Sequence, residues 1–450
     1  MLLSRINRLM RFIIPSTLGV CMFLIPFPAA GAAANTFVGH IKEYILILLH
    51  NYLGVAVMSI ALVVSMLSLY IMVIRPSWVY ENHIFSEHLA CTPLGFFVRL
   101  FSLVISAVVV FGLPGALGDS IKFAEIIVVH IVPRLVVLVI VLSLTAPLLL
   151  DFGLVQFAAV FASRWMEPLF KVPGRSAVDC VASWLGSSSM AIVITDRMHL
   201  AGLYSDREAA VMVSSFSLAG IYNIYALAAI LNMNEYFFSV VSTVYISMIA
   251  LAVIMPRLWP LNRIPDTYMN GTERRHDATA EEHPSHTVLQ RAFIRAEAKA
   301  KHMTVKKYLH ESLSIALPLI FGTIPMMISL GTFFMALTHF TPIVDLLSAP
   351  VVCLFKAVNM SEPEALGTAA VFAFIDPFLA VTFGQVLLSP EARYICVAIS
   401  AVGLINLTEV VIHVWHTEIP LSFAQMLAIY FMRIIFSLFL IIPVASCIFD

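Results

Sequence analysis

The chain has 450 residues, of which 60% are hydrophobic and 12% charged, with a formal net charge of −1. Soluble proteins carry about 25% charged and about 45–50% apolar residues, so this composition excludes an ordinary water-soluble domain. The near-neutral charge argues against nucleic acid as a partner. The apolar residues form long runs, and a bilayer-spanning helix needs about 20 of them. The sequence therefore predicts an all-α membrane protein, a polytopic helical bundle.

The amino terminus carries Arg5, Arg8 and Arg11 ahead of an apolar stretch from Phe12 to about Ala34. We expect an uncleaved first span with its basic end in the cytoplasm. The alternative is a secretory signal peptide. Further spans are predicted at residues 43–74, 94–113, 123–150, 207–230, 236–255, 311–337, 392–414 and 421–449.

The apolar segment 172–203 follows an amphipathic stretch and is interrupted in its middle. The interruption consists of small and polar residues, Gly186, Ser187, Ser188 and Ser189. A helix broken at membrane depth exposes backbone groups that are tolerated only inside protein or beside a water-filled cavity. We expect a re-entrant hairpin whose tip binds solute, because half-helix N-termini favour anionic or acceptor groups. The alternative is close helix packing by small residues.

Residues 256–310 form the one long polar segment, with ten of the 26 Lys and Arg residues of the chain. This basic balance predicts a cytoplasmic linker. After the linker the pattern starts again with a span, an amphipathic stretch and a broken apolar segment at 362–389. Breaks are predicted there at Gly367-Thr368 and at Asp376-Pro377.

An internal repeat is indicated by identities at a constant offset of 183 residues. The matched pairs are Glu208-Ala209 with Glu391-Ala392, Ser217 with Ser400, Gly220 with Gly403, and Asn223 with Asn406. Three crossings separate the two broken segments, so the copies have opposite orientations, as in many secondary transporters. The predicted domains are N-terminal helices 1–122, a first repeat 123–255 with a hairpin at 172–203, the linker 256–310, and a second repeat 311–450 with a hairpin at 362–389.

Polar residues at membrane depth are the candidate site residues. Asn223 and Asn406 are expected to bind solute, with interhelical hydrogen bonding as the alternative. Glu409 lies three residues after Asn406, on the same helical face. A carboxylate within a span costs about 2.5–3.5 kcal/mol, so Glu409 and Asp376 are candidates for coupling to Na⁺ or H⁺. Arg433, within the last span, is expected to extend its side chain to the membrane surface.

The segment PGRSAVDCVASWLGSSSMAIVITDRMHLAGLYSDREAAVMVSSFS, Pro173 to Ser217, resembles the nucleoside-recognition or Gate domain. The whole chain is similar to the YjiH family of bacterial membrane proteins. Gate domains occur in concentrative nucleoside transporters, spore-maturation membrane proteins and ferrous-iron transporters. The resemblance implies a helical bundle with hairpins and inverted repeats, and a nucleoside or similar small polar solute. The full set of substrate-contact motifs of a nucleoside transporter is not found.

The sequence contains no Walker A loop, no GxSxG, no HExxH and no Cys/His metal cluster. We therefore expect no enzyme activity, no cofactor and no metal site. The expected function is secondary transport of a small polar solute across the bacterial inner membrane. The alternative is a non-transporting membrane scaffold or signalling protein of the spore-maturation-like type. Expected partners are the lipid bilayer and the solute, and homo-oligomerisation is left open.

Overall fold

The computed structural model describes most of the chain. The described residues are 2–27, 35–49, 52–81, 85–86, 89–90, 92–112, 124–185, 188–216, 219–269, 287–403, 405–415 and 417–449. Within them the fold is almost entirely helical. One short antiparallel pair of strands, β1 (Pro26–Phe27) and β2 (Asn35–Thr36), follows the first helix, with Pro26 opposite Thr36.

The helices before the linker are α1 (Leu2–Leu24), α2 (Phe37–Leu49), α3 (Leu53–Ile74), α4 (Ser77–Tyr80), α5 (Pro93–Val110), α6 (Val132–Leu150), α7 (Leu154–Phe170), α8 (Ala177–Leu185), α9 (Ser188–Leu200), α10 (Asp206–Ser215), α11 (Ile221–Ile230) and α12 (Phe237–Ile254). Those after it are α13 (Val288–Lys301), α14 (Val305–Pro318), α15 (Ile324–Phe340), α16 (Ile343–Ala357), α17 (Pro363–Ile375), α18 (Pro377–Phe383), α19 (Pro390–Val402), α20 (Ile412–Trp415) and α21 (Phe423–Phe449). Three π-helical turns adjoin them, at Ile126–Ile131, Leu319–Thr323 and Leu407–Val411.

In the described part of the chain, six helical segments are long and apolar enough to cross a bilayer. They are Leu53–Ile74, Pro93–Val110, Ile127–Leu150, Asn234–Arg263, Val305–Phe334 and Phe423–Phe449. Their outward faces carry exposed apolar side chains, such as Met66 at 65% and Val73 at 70% exposure on α3. A surface of this kind is stable against lipid and unfavourable in water. The chain is thus a multi-pass helical membrane protein, as its composition predicts.

The first predicted hairpin is present. α8 and α9 have 9 and 13 residues, so at 1.5 Å per residue neither reaches across a hydrocarbon core of about 30 Å. The two helices pack on each other, so the end of α9 lies beside the start of α8. There, Arg175 donates to the Leu203 carbonyl, and the Tyr204 hydroxyl donates to Asp179 Oδ2 at 2.6 Å.

The second predicted hairpin, α17 and α18, is closed at its base by a carboxylate. Glu362 accepts from the backbone N–H groups of Leu388 at 2.9 Å and Ser389 at 2.7 Å. Between the two arms, the rings of Phe372 and Phe383 are stacked with centroids 4.0 Å apart. Both broken segments are therefore re-entrant, each joined at its base by a charged side chain.

The two hairpins open toward opposite ends of α12. At its start, Tyr236 packs 4.8 Å from Phe449, and Phe449 packs 5.8 Å from Tyr394 at the start of α19, just beyond the second hairpin. At its other end, the Pro256 carbonyl accepts from Arg207 at 3.1 Å, in the first turn of α10 just beyond the first hairpin. This arrangement confirms the inverted repeat.

The equivalent elements of the two repeats also pack on one another. α6 packs on α15, and α12 packs on α21. α9 of the first hairpin packs on the π-helical turn Leu407–Val411, while α18 of the second packs on α11. Reciprocal contacts of this kind are what a pseudo-two-fold axis between inverted repeats requires.

Two predicted spans, residues 207–230 and 392–414, are not continuous helices. The first stops at Ser215 and resumes at Ile221, and the second stops at Val402 and resumes as a π-helical turn at Leu407. Each α-helical portion before the break has 10 or 13 residues, too few to cross a bilayer. Each repeat therefore contains a broken helix in addition to its hairpin.

The predicted break at Gly367-Thr368 is wrong, because both residues lie inside α17. A Cβ atom at Gly367 would lie 2.3 Å from Val352 Cγ2 and 3.1 Å from the Val352 nitrogen. The glycine therefore permits close contact between α16 and α17. The break in this segment lies at Asp376-Pro377, as the second prediction states.

The first helix and the linker, which both carry basic residues, lie at the same end of the bundle. α13 of the linker packs on α7 and on α1. At their junction, Phe12 lies 5.7 Å from Phe157 and 6.2 Å from Phe293. Gly153 contacts Ala296 so closely that a Cβ atom would lie 2.5 Å from its carbonyl oxygen. α1 is therefore packed into the bundle beside the linker helix α13.

We expect the linker end of α12 to be cytoplasmic and its other end to face outside. In a cysteine-free background, Glu235→Cys should react with a membrane-impermeant maleimide in intact cells, because Glu235 is exposed at the far end. Ser285→Cys, in the linker outside the described residues, should react only after the cells are permeabilised. Labelling of Ser285→Cys in intact cells would contradict this orientation.

Candidate functional site

The break in the first broken helix is fixed by the first hairpin. Ser183 of α8 donates its hydroxyl to the Phe216 carbonyl at 3.0 Å. The Trp184 ring stacks on Phe216 with centroids 5.7 Å apart and planes inclined by 21°. Tyr245 of α12 donates to the Trp184 carbonyl at 2.6 Å. These contacts place the end of α8, the break after α10 and the middle of α12 around one point.

Buried polar atoms without a hydrogen-bond partner surround this break. Within the described residues, the unpartnered atoms near it are Ser215 Oγ, Asn223 Oδ1, Ser247 Oγ and Trp184 Nε1. Buried polar groups nearly always have a partner in the protein or an ordered water, and an unpaired one costs about 1–3 kcal/mol. Such a group of atoms is expected where a water or a polar ligand supplies the missing partners.

The break in the second broken helix lies around Asn406, which is fully buried. Its Oδ1 accepts from the Val410 N–H at 3.3 Å, and its carbonyl accepts from the Val411 N–H at 2.9 Å. Asn406 therefore caps the π-helical turn Leu407–Val411 and lies directly before its first residue. The predicted α-helical relation between Asn406 and Glu409 is wrong, because Asn406 precedes the helical turn.

Arg433 lies in the middle of α21 and is fully buried. The expectation that it reaches the membrane surface is therefore wrong. Its guanidinium donates to the Ser214 carbonyl at the end of α10. It also donates to the Val402 carbonyl at the end of α19, at 2.6 Å from Nη2, and Nη2 lies 3.0 Å from Met248 Sδ. One cation thus contacts the C-terminal ends of the first halves of both broken helices.

Asp376 lies at the tip of the second hairpin and caps α18. Its Oδ1 accepts from the N–H groups of Phe378 at 2.8 Å and Leu379 at 3.3 Å. A narrow cleft beside it is lined by Thr323, Met326, Met327, Asp376 and Leu379. The carboxylate is buried in a membrane-embedded segment, and its capping bonds give one physical reason for its presence there.

The structure distributes the predicted site residues over four elements. Gly186 and Ser187 lie outside the described residues, between α8 and α9, and Ser188 and Ser189 open α9. Asn223 is the third residue of α11, and Glu409 is the third residue of the π-helical turn in the other repeat.

Packing across the repeats brings these elements together in two pairs. The first hairpin, with Ser188 and Ser189, contacts the turn that contains Glu409, and the second hairpin, with Asp376, contacts the helix that contains Asn223. The sequence did not predict three residues of the site, Trp184, Tyr245 and Arg433. For Arg433, the signal was a charge in the middle of an apolar span of 27 residues, a position that usually faces the bundle interior.

Part of the chain matches a family model, and the whole chain is similar to other known proteins. Residues 132–234, which run from α6 through the first hairpin to α11, match the family model described as nucleoside recognition, or Gate. An uncharacterized protein of Alkalihalophilus pseudofirmus is 30% identical over 443 residues, which are 98% of this chain and 95% of that protein. Among solved structures, CNTnw with two substitutions in an outward-facing state shares 12% identity and has a TM-score of 0.41. That similarity covers 90% of this chain and 99% of that one.

The identity with the Alkalihalophilus protein extends along nearly the whole of both chains. The chain therefore belongs to the family of that protein, the YjiH-like bacterial membrane proteins with a nucleoside-recognition domain. Among the described residues, no group of three His, Cys, Asp or Glu side chains is arranged to hold a metal ion.

We expect the capping role of Asp376 to be separable from any role of its charge. Asp376→Asn keeps an oxygen acceptor for the Phe378 N–H and should unfold within a few degrees of wild type. Asp376→Ala removes the cap, which costs about 1 kcal/mol, and should unfold at a lower temperature. Thermal unfolding of the purified variants measures both. Equal midpoints for Asp376→Ala and wild type would show that the cap contributes nothing.

Proposed function

We propose that the chain is a secondary transporter of the bacterial inner membrane that carries a small polar solute of the nucleoside class. The observation that carries this proposal is the set of unpartnered buried polar atoms around the first helix break. A transporter needs such groups at membrane depth, where they exchange water for solute. The two hairpins open toward opposite ends of α12, an arrangement that alternating access between inverted repeats requires.

The chemistry around the break favours a solute with both a flat ring and hydrogen-bonding groups. Trp184, Phe216 and Tyr245 form an aromatic cluster beside it, with Trp184 and Tyr245 rings 6.2 Å apart. Asn223 offers an amide, which can both donate and accept. A nucleoside combines an aromatic base with the hydroxyls of a sugar. The nucleoside-recognition match over residues 132–234 supports the same class.

Coupling is proposed to depend on Asp376 or Glu409, driven by Na⁺ or H⁺. Both residues lie on elements that contact the opposite repeat. An intramembrane carboxylate can bind a cation, because the two oxygens complete a shell with nearby carbonyls, or it can carry a proton when burial favours the neutral form. Gly186, Ser187, Ser188 and Ser189 are proposed to line the solute path at the tip of the first hairpin, and Asn406 to shape its counterpart.

Solute binding should be visible as thermal stabilisation of the purified protein. A ligand at 100 times its dissociation constant contributes about 2.7 kcal/mol. We expect a nucleoside to raise the unfolding temperature, and amino acids and organic acids to have no effect. Asn223→Leu should abolish the increase because it removes the amide at the break.

Asn234→Leu is the matched control, since Asn234 Oδ1 is also buried without a partner but lies before α12, away from the break. This variant should retain the ligand-induced increase. If no solute stabilises the protein and proteoliposomes show no uptake, the non-transporting scaffold becomes the better assignment.

Amide substitutions should reveal which carboxylate couples transport to the ion gradient. Asp376→Asn or Glu409→Gln, whichever removes the coupling group, should lose uptake driven by a Na⁺ or H⁺ gradient. The same variant should still exchange labelled solute across proteoliposomes at equal ion concentrations, because the solute site is intact. Gradient-driven uptake at the wild-type level in both variants would exclude both residues as the coupling group.

A further inference from the structure

A charged side chain in the middle of a membrane helix needs compensation. An arginine at the centre of a membrane helix is unfavourable on insertion scales. Arg433 lies near the centre of the 27-residue helix α21 and is fully buried. Its partners therefore have to supply a favourable environment for a permanent positive charge.

Two of those partners are backbone carbonyls at the ends of helices. Ser214 is the penultimate residue of α10 and Val402 is the last residue of α19. The last four carbonyls of a helix lack an intrahelical partner, and each helix C-terminus carries about half of a negative elementary charge. Two such ends together carry about one negative charge, which equals the charge of one guanidinium. The two helices are equivalent in the inverted repeat, so the cation lies between the repeats.

A free cation is the usual occupant of such a place, because unwound carbonyls and half-helix C-termini attract Na⁺. Here the cation is part of α21. We propose that Arg433 is a tethered counter-cation for the paired C-termini of the two broken helices, in the position that a free monovalent cation would otherwise occupy. It is a positioning residue, since it fixes one helix break relative to the other through their carbonyls.

This inference does not depend on transport, because it concerns how the two breaks are stabilised. It predicts that charge, and not only hydrogen bonding, is what position 433 requires. Lysine keeps the charge with a different geometry. Glutamine keeps a donor without the charge, and alanine leaves an open space beside both carbonyls.

The test uses the purified full-length protein in detergent and measures thermal unfolding at constant ionic strength. Arg433→Lys should lose less than half as many degrees as Arg433→Gln. Arg433→Ala should regain stability saturably when guanidinium chloride at millimolar concentration replaces choline chloride, whereas the wild-type protein should not respond. Rescue by the ion that restores the missing group is a response that a role in packing alone would not produce.

Arg99 provides a matched position. It is also buried, and it donates to Ser68 Oγ at 2.7 Å and to the carbonyls of Leu89 and Phe321, both at 3.0 Å. It does not join the two broken helices, so Arg99→Gln measures what the loss of a buried guanidinium costs elsewhere in the bundle. The proposal is overturned if Arg433→Lys is no more stable than Arg433→Gln, or if guanidinium does not stabilise Arg433→Ala.

Discussion

The need to pair every backbone N–H and C=O group inside the hydrocarbon governs this structure. An unbroken helix meets that need by itself, but the two hairpins and the two broken helices do not. Their free groups are met by side chains from other elements. Ser183 donates to the Phe216 carbonyl, and Arg433 donates to those of Ser214 and Val402. Each break is therefore stable only in the assembled bundle.

The inverted repeat supplies these partners reciprocally. Each hairpin packs on the broken helix of the opposite repeat, and Arg433 of the second repeat donates to the Ser214 carbonyl of the first. The bases of the hairpins are closed by side chains of opposite charge, Arg175 on a carbonyl in the first and Glu362 on two N–H groups in the second. Opposite charges suit the opposite backbone groups that each base presents. The repeats are thus alike in architecture and different in chemistry.

The polar residues at membrane depth fall into two kinds. Asp376 and Asn406 have bonds that organise their own turns, since one caps α18 and the other begins a π-helical turn. Ser215, Asn223 and Ser247 each have a buried oxygen without a partner among the described residues. Only the second kind is costly without a ligand or water. The proposed solute site is therefore placed at the first break, and the second break is proposed to be its structural counterpart.

Local properties of the sequence determined the class of protein and the two hairpins. Long apolar runs predict membrane helices, and the second hairpin turns at Asp376-Pro377 because proline ends a preceding helix locally. The family resemblance rests on the same segment, and the match over residues 132–234 agrees with it.

The breaks after Ser215 and Val402 depend on tertiary structure, although Gly403 directly after Val402 is a local signal for a helix end. Their carbonyls are paired by Arg433, which lies 219 residues from Ser214 and 31 residues from Val402 in the chain. The same distance in sequence hid the role of Arg433. A helix can end inside the membrane only where another element supplies the missing partners, and that element is known only once the chain is folded.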